Sequence, residues 1–294
     1  MSWRAGLAFA ALGIIWGLPY FFIRLAVEEL SPFVVAWGRV TLAALILVPL
    51  AWQRGALRSL RAHTLAICVF GLVEFAIPFT AISIGERWIN SSLTGILIAA
   101  VPLTVVLLSR RFGVHEPLGG LRILGLALGL VGVAALLGFR TISGPSGWAG
   151  VGCMLLATVG YAAGPLIIQR YFAGVDSLGT VATSLSFASL VLLPALFALP
   201  DHMPSATALW SIVVLGVVCT AVAMLLMFYL VTAAGAARAS IVTYINPAVA
   251  ALLGVSFLDE RLGTGGIVAF ALILLGSWLA TRGGAAAHAP ATES

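Results

Sequence analysis

Two charged residues stand inside long apolar stretches of this sequence, where ionisable groups are costly and mark functional sites by default. Glu74 lies about 15 Å of helix from either end of its predicted span. Its carboxylate could carry a proton or hold the ammonium group of a substrate. Arg39 stands one predicted helix earlier, where its extended side chain could instead form a structural ion pair with Glu74. The sequence leaves both interpretations open, and an ion pair inside a binding site would satisfy both.

Aromatic and small polar side chains in the predicted spans extend this set of candidates. Rings suit an amphipathic or aromatic solute and attract an ammonium group. Hydroxyls and amides can hydrogen-bond a zwitterion, or only a neighbouring helix. Together with Arg39 and Glu74, the predicted cavity residues are Trp16, Tyr20, Phe79, Ser92, Thr94, Tyr161, Tyr229, Tyr244 and Asn246.

Prolines inside the predicted helices form a second group. A proline frees a backbone carbonyl and kinks its helix, and free polar backbone is tolerated at that depth only beside protein or a water-filled cavity. These prolines therefore predict cavity lining and hinges, with ordinary kinks as the alternative. They are Pro19, Pro78, Pro102, Pro165 and Pro247.

The sequence contains no pattern typical of a metal or cofactor site. Cys68, Cys153 and Cys219 each stand alone in an apolar segment, without metal or disulfide spacing. All 15 basic residues are Arg, and the lack of Lys excludes a P-loop or Schiff-base lysine. We therefore predict no metal, no cofactor and no catalytic residue.

The composition indicates what kind of structural elements carry these candidate residues. Of the 294 residues, 62% are hydrophobic and 9% are charged, whereas soluble chains carry about 25% charged residues. Because so few charges cannot cover a water-facing surface, we predict an all-α polytopic membrane protein that contacts lipid and binds no nucleic acid. The first apolar stretch is long and the next follows almost at once, so no cleavable signal peptide is expected.

Ten segments reach the roughly 20 mostly apolar residues that a bilayer-spanning helix needs. They are approximately 5–27, 32–52, 64–84, 91–109, 118–138, 147–169, 177–199, 207–230, 236–257 and 263–281. With the N-terminus in the cytoplasm, ten arginines of the loops and helix ends lie inside and four lie outside. This bias predicts that both termini are cytoplasmic.

The two halves of the chain resemble each other weakly at offsets of 144 to 146 residues. The matches include Pro19 with Pro165, Pro49 with Pro194, Pro102 with Pro247, and Glu116 with Glu260. Because each half holds five predicted spans, the second copy must enter the membrane upside down, and such inverted repeats place a binding site where the halves meet. The predicted domains are two five-helix repeats, 1–145 and 146–284, and a disordered cytoplasmic tail, 285–294.

Several motifs stand in order along nearly the whole chain: Trp16-Gly17, Arg39, Ala100-Val101-Pro102, Asn246-Pro247-Ala248, and Glu260-Arg261 before a glycine-rich last helix. Together they resemble the EamA-type proteins of the drug/metabolite transporter superfamily. The resemblance implies a ten-helix bundle in which the fifth and tenth helices pack together to the side and the other eight line a central cavity. It also implies kinship with bacterial exporters of amino acids, aromatic ones among them. One departure is that the first span lacks the proton-binding Glu of the small multidrug pumps.

We therefore expect a secondary transporter, a monomer, that exports small metabolites across a bacterial inner membrane by alternating access. Aromatic or other apolar amino acids are the favoured substrates. The alternatives are a nucleotide-sugar or other metabolite carrier of the same fold and, from other classes, a passive channel or a membrane-embedded enzyme. No ring of charge or carbonyl-rich filter supports a channel, and Glu74 and Arg39 are the only deep charged candidates for catalysis, so we do not expect an enzyme.

Overall fold

The polypeptide is helical, and no strand occurs in the parts of the chain that the structure describes. The computed structural model describes residues 2–57, 60–109, 111–112, 119–138, 144–234 and 241–285. Of the predicted tail 285–294, only Ala285 is among these residues, as the end of a helix. The rest of the tail lies outside the described residues.

The N-terminal half folds into apolar helices separated by short turns. They are α1 (Trp3–Gly17), α2 (Pro19–Ala26), α3 (Pro32–Gln53), α4 (Thr64–Phe70), α5 (Ile77–Gly85), α6 (Ser91–Ile98), α7 (Val101–Ser109) and α8 (Gly120–Gly138). A 3-10 turn, Arg61–His63, precedes α4, and a π-helical segment, Gly71–Ala76, joins α4 to α5.

The C-terminal half repeats this pattern. Its helices are α9 (Gly144–Tyr171), α10 (Ser177–Val191), α11 (Ala206–Val213), α12 (Ala223–Ala234), α13 (Asn246–Phe257) and α14 (Thr264–Ala285). A π-helical segment, Val214–Val222, joins α11 to α12, and 3-10 segments occupy Leu193–Ala198 and Ile241–Tyr244.

Six helical stretches are long and apolar enough to cross a membrane: Trp3–Ala26, Pro32–Gln53, Thr64–Gly85, Ser91–Ser109, Gly144–Tyr171 and Ala206–Leu230. Shorter apolar helices occupy the other predicted segments: Ile123–Ala135, Ser177–Val191, Asn246–Phe257 and Thr264–Leu279. The predicted seventh span, 177–199, is α-helical only as far as Val191, and 236–240 of the ninth lie outside the described residues. A multi-pass membrane protein is thus confirmed, whereas the count of ten spans stays a prediction.

Polar residues between the apolar stretches explain where several helices begin. The side chain of Asn90 accepts the N–H of Leu93 at 2.8 Å at the start of α6. Asp176 accepts the N–H of Gly179 at 2.9 Å at the start of α10. Such caps satisfy N–H groups that have no partner within the helix, and they therefore fix the helix starts.

The π-helical segments occupy equivalent positions in the two halves. Gly71–Ala76 interrupts the third predicted span and Val214–Val222 interrupts the eighth, so their bounds lie 143 and 146 residues apart. A π segment adds a residue to a helical turn and is frequent at functional sites. The two halves therefore share an irregularity as well as a pattern of hydropathy.

Many of the helix pairs in contact join the two halves. Helix α3 packs on α10, α6 on α13, and α8 on α14, while α5 packs on α9 and α1 on α12. Exchanging the halves maps each of these pairs onto itself or onto another of them. The contact of α8 with α14 is the pairing that the resemblance implied for the fifth and tenth helices. A side chain at Gly276 would overlap the backbone of Gly129 there, so these two helices touch at their backbones.

Candidate functional site

Arg39 lies in a buried polar cluster between helices of the two halves. From α3 its Nε donates a hydrogen bond to the hydroxyl of Thr220, which lies between α11 and α12, at 2.9 Å. Its guanidinium stacks on Phe79 of α5, with Cζ 3.6 Å from the ring centroid, as in a cation–π contact. Arg39 is 5% exposed. A guanidinium has five N–H donors, and the bond to Thr220 is the one it forms with the described residues, so most of this capacity is open to a ligand.

Aromatic side chains from three predicted spans surround this guanidinium. The rings of Phe79 and Tyr161 meet edge to face, with their centroids 6.5 Å apart. Tyr161, on α9, lies near both Arg39 and Glu74. Tyr20, on α2, is buried and interacts with Arg39 and Tyr161. We call the following residues the Arg39 cluster: Tyr20, Arg39, Glu74, Phe79, Tyr161 and Thr220.

Glu74 belongs to the π-helical segment Gly71–Ala76 and packs against α9. A Cβ at Gly164 would overlap its Oε2, so the carboxylate lies directly against the backbone of α9. Oε2 is buried and has no hydrogen-bond partner among the described residues. The structural ion pair with Arg39, which the sequence left open, is not formed, because Arg39 turns to a hydroxyl and a ring instead.

Other predicted cavity residues lie apart from the Arg39 cluster. Trp16 is half-buried and packs on the apolar core of α1 and α12. Tyr229 of α12 is 42% exposed, and the side chain of Tyr244 lies outside the described residues. With its amide nitrogen turned toward α1, Asn246 reaches the carbonyl oxygen of Gly13 at 3.2 Å. A solute-binding role for these four residues stays a prediction.

The predicted hinge prolines mostly coincide with helix starts. Pro19 begins α2, and Pro78, Pro102 and Pro247 each occupy the second position of α5, α7 and α13. At Pro19, Pro102 and Pro247 the missing N–H costs little, because the first turn of a helix has no partner for it. Pro78 instead follows the π-helical segment directly, inside a helical stretch that runs from Thr64 to Gly85. Pro165 differs, since it lies inside the uninterrupted helix α9. Pro19, Pro102 and Pro247 therefore mark real helix starts, and the role of all five prolines as hinges stays a prediction.

A second polar site, which the sequence did not predict, lies where α6 begins. The carboxylate of Glu260 accepts the N–H and hydroxyl of Ser91 at 2.7 and 2.8 Å, and those of Ser92 at 2.9 and 2.5 Å. A carboxylate from the C-terminal half thus caps a helix of the N-terminal half. A side chain at Gly254 would overlap both Glu260 and Ser92. We call this arrangement the Glu260 clamp.

Two predicted cavity residues belong to this second site. Ser92 donates its hydroxyl to the Glu260 clamp. Thr94 is buried one turn later, and its hydroxyl donates to the backbone oxygen of Asn90 at 3.1 Å. Both hydroxyls are therefore occupied in this conformation by the helix start and its cap.

A similar clamp runs from the N-terminal half to the C-terminal half. Glu29, which follows α2, accepts the N–H of Ser205 at 2.8 Å and its hydroxyl at 2.5 Å. Ser205 also accepts the N–H of Ala208 at the start of α11. The two hydrogen bonds from Ser205 favour the charged form and lower the pKa of Glu29. We call this arrangement the Glu29 clamp.

Within the described ranges, no group of three or more His, Cys, Asp or Glu side chains could hold a metal ion. Residues 3–138 and 148–282 each match the EamA-like transporter family. The chain belongs to the EamA-like transporter family. The two halves are therefore two copies of one family unit, and the chain is a multi-pass membrane transporter.

Relatives of this EamA-like chain come from several microorganisms. It is 28% identical to the uncharacterized inner membrane transporter YedA of Escherichia coli (strain K12), over 92% of this chain and 91% of the relative. It is 22% identical to the uncharacterized transporter YoaV of Bacillus subtilis (strain 168), over 94% and 96%. A protein crystal structure matches with a TM-score of 0.67 and 20% identity, over 98% of this chain and 100% of its own. That likeness shows the fold.

Proposed function

We propose that this EamA-like protein is a secondary carrier that exports amino acids across a bacterial inner membrane by alternating access. Aromatic and other apolar amino acids are the favoured substrates. The Arg39 cluster carries this proposal, because it holds a cation, a carboxylate and aromatic rings between the two family units. An apolar membrane interior keeps such groups only at a cost.

An amino acid offers one chemical group to each part of the cluster. Its carboxylate matches Arg39, whose planar guanidinium binds carboxylates through two parallel hydrogen bonds. Its ammonium group matches the unpaired oxygen of Glu74 and the face of Tyr161. Of the described arginines, only Arg39 is fully buried, which favours a single carboxylate over the diphosphate of a nucleotide sugar.

We further infer ten spans arranged as two inverted five-helix repeats. The four shorter apolar helices would supply the spans beyond the six that reach membrane length. The matched π segments and the helix pairs that exchange between halves support a two-fold relation. With five spans in each unit, the second unit enters the membrane in the opposite direction, and the Arg39 cluster lies near the midplane where the repeats meet.

Counterflow in proteoliposomes tests the substrate class. Vesicles loaded with unlabelled phenylalanine should accumulate labelled phenylalanine, with saturation. Phenethylamine lacks the carboxylate and phenylpropionate lacks the amine, so both should compete weakly. Arg39→Gln should abolish the preference for phenylalanine over phenethylamine, whereas Glu74→Gln should abolish the preference over phenylpropionate. Arg54→Gln, at the exposed end of α3, is the matched control and should keep both preferences.

The same vesicles separate the other functions. Exchange of nucleotide sugars without exchange of amino acids would indicate a nucleotide-sugar carrier. Electrical conductance without saturation would indicate a channel. Turnover of a lipid by the purified protein would indicate an enzyme. Each of these outcomes contradicts the proposal.

Labelling of single cysteines tests the orientation. With both termini in the cytoplasm, cysteines within 54–62 and 110–117 should react only from the cytoplasmic side, and those within 86–90 only from outside. Reaction of 54–62 from outside would overturn the orientation, and with it the ten-span arrangement as drawn.

A further inference from the structure

Glu86 is a buried carboxylate that the proposed solute site does not use. It follows α5, is 0% exposed, and neither of its carboxylate oxygens has a hydrogen-bond partner among the described residues. Its backbone oxygen accepts a hydrogen bond from Nη1 of Arg24 at 2.6 Å. Glu86 stands five residues before Ser91, in the short connection that leads to the Glu260 clamp, and the carboxylates of Glu86 and Glu260 are near enough to interact electrostatically. A buried carboxylate without donors therefore lies near one that accepts four hydrogen bonds.

The surroundings of these two carboxylates favour opposite charge states. Four donated hydrogen bonds stabilise the negative charge of Glu260, and the start of α6 adds the positive end of a helix dipole. A negative charge on Glu86 would be desolvated, without donors, and repelled by Glu260. Arg24 can neutralise one carboxylate of the pair. The arrangement is therefore balanced when Glu86 is neutral.

We propose that Glu86 binds a proton while the Glu260 clamp is closed, and that loss of this proton opens the clamp. In the step, the O–H bond of the Glu86 carboxylic acid breaks and the proton passes to water. Two negative carboxylates then face each other beside one guanidinium. Their repulsion weakens the hydrogen bonds of Glu260 to Ser91 and Ser92, so Glu260 and the start of α6 separate.

Groups on each neighbouring element act on this equilibrium. Helix α2 contributes Arg24 and Tyr20, and the connection before α14 contributes Glu260. Helix α9, which packs on α5, brings Cys153 against Gly85, the residue before Glu86. Burial raises the pKa of Glu86 well above its ordinary value, Glu260 raises it further, and Arg24 opposes the rise. Under this proposal, opening admits water to Glu86 and returns its pKa toward the ordinary value. The closed clamp is therefore favoured at low pH and loses stability as the pH rises from the ordinary pKa of a Glu through the raised one.

Cysteine labelling of the full-length protein measures opening of the clamp. In a background with Cys68, Cys153 and Cys219 changed to Ala, a cysteine replacing Thr94 reports access beneath the clamp, since Thr94 is buried in α6. A cysteine replacing Met203, which is exposed, corrects for the pH dependence of the thiol itself. The ratio of the two labelling rates should rise with pH, by up to about tenfold per pH unit while Glu86 titrates.

Charge variants identify the group that titrates. Glu86→Gln imitates the protonated acid, so its ratio should stay low and independent of pH. Glu86→Asp keeps an ionisable group and should keep the rise with a shifted midpoint. Glu28→Gln is the matched control, because Glu28 is exposed and precedes the Glu29 clamp, and it should behave like the unchanged protein.

Infrared spectroscopy locates the proton directly. The C=O stretch of a protonated carboxyl should be present in the closed protein, should lose intensity in Glu86→Gln, and should be unchanged in Glu28→Gln. The proposal would be overturned if the labelling ratio still rose with pH in Glu86→Gln. It would also be overturned if the C=O band kept its full intensity in that variant. A flat ratio in the unchanged protein would overturn it even if Glu86→Gln failed to fold. None of these readouts involves transport, so they succeed or fail independently of the proposed substrate.

Discussion

Two acidic side chains from opposite halves of the chain meet the other half in opposite ways. Glu260 ends in four hydrogen bonds at the start of α6. Glu74 ends against α9, and its Oε2 has no donor among the described residues. Each carboxylate lies against a glycine, Gly254 for the first and Gly164 for the second. The close approach of backbone is therefore the same at both sites, and what differs is the supply of donors.

Under the proposed function, this difference separates a structural tie from a site for a ligand. A carboxylate with four donors gains little from a further partner, and breaking its bonds is the cost of moving the two halves apart. A buried oxygen without donors gains a full partner when an ammonium group or a proton arrives. Arg39 resembles Glu74 in this respect, because its one described hydrogen bond leaves most of its donors unused.

Arg39→Gln should have the largest effect of the changes considered. Hydrogen bonds to a charged group contribute about 1.5–3 kcal/mol, and about 2.7 kcal/mol corresponds to a rate change of about 100-fold. The initial rate of phenylalanine counterflow should therefore fall about 100-fold, while Arg54→Gln stays within about twofold. If the rate of Arg39→Gln stayed within twofold of that of the unchanged protein, the guanidinium of Arg39 would not be part of the solute site.

Glu260→Gln should destabilise the fold by about 2 kcal/mol, since an amide nitrogen would face donors that now bind a carboxylate oxygen. Unfolding in mixed micelles by added SDS measures this free energy. The exposed control Glu28→Gln should change it by less than about 0.5 kcal/mol. Equal stabilities of the two variants would mean that the Glu260 clamp is not a tie between the halves.

Gly164→Ala should have an intermediate effect, because its new methyl group would overlap Oε2 of Glu74. Overpacking of this kind costs about 1–3 kcal/mol, here toward the lower end because the side chain of Glu74 can turn. Combining it with Glu74→Ala should restore stability, which a double-mutant cycle of the unfolding free energies detects. A purely additive double variant would show that the two residues are not coupled.

Glu29→Gln should have the smallest effect, visible mainly in its pH dependence. Because Ser205 lowers the pKa of Glu29, the charged form stabilises the fold above the ordinary pKa of a Glu and loses this effect as the pH falls through the lowered pKa. Melting temperatures of the variant and the unchanged protein should differ at neutral pH and converge in acid. A constant difference across that range would contradict the clamp.

Features that depend on hydropathy or on proline chemistry could be predicted from the sequence. The starts of α3 at Pro32 and of α6 at Ser91 agree with the predicted spans, and Pro102 and Pro247 mark real breaks. Which faces meet could not be predicted, because helices that are apolar on all sides show no buried face in their sequence. Arg39 was therefore assigned a possible partner in Glu74 but not its actual contact with Phe79.

The partners of the buried charges were harder to predict for two reasons. Thr220 is a single hydroxyl in an apolar run, and its position near the middle of the eighth predicted span was the only signal. Glu86 and Glu260 stand at the ends of predicted spans, where charged residues are common, so they served as boundaries or as markers of the repeat. The contact of Glu260 with Ser91 joins residues 169 apart, which no local pattern reports.

In the proposed alternating-access carrier, the clamps also bear on which conformation is the resting one. Two identical repeats would make the states closed at either end equal in energy. This chain breaks that equality, because the position that matches Ser91-Ser92 at the offset of 145 holds Ala236-Ala237, which has no hydroxyls to offer an acid. In the proposed topology, Glu260 and Glu29 both lie on the outer side of the membrane. The carrier without solute should therefore rest closed toward the outside and open toward the cytoplasm, the side from which an exported solute binds.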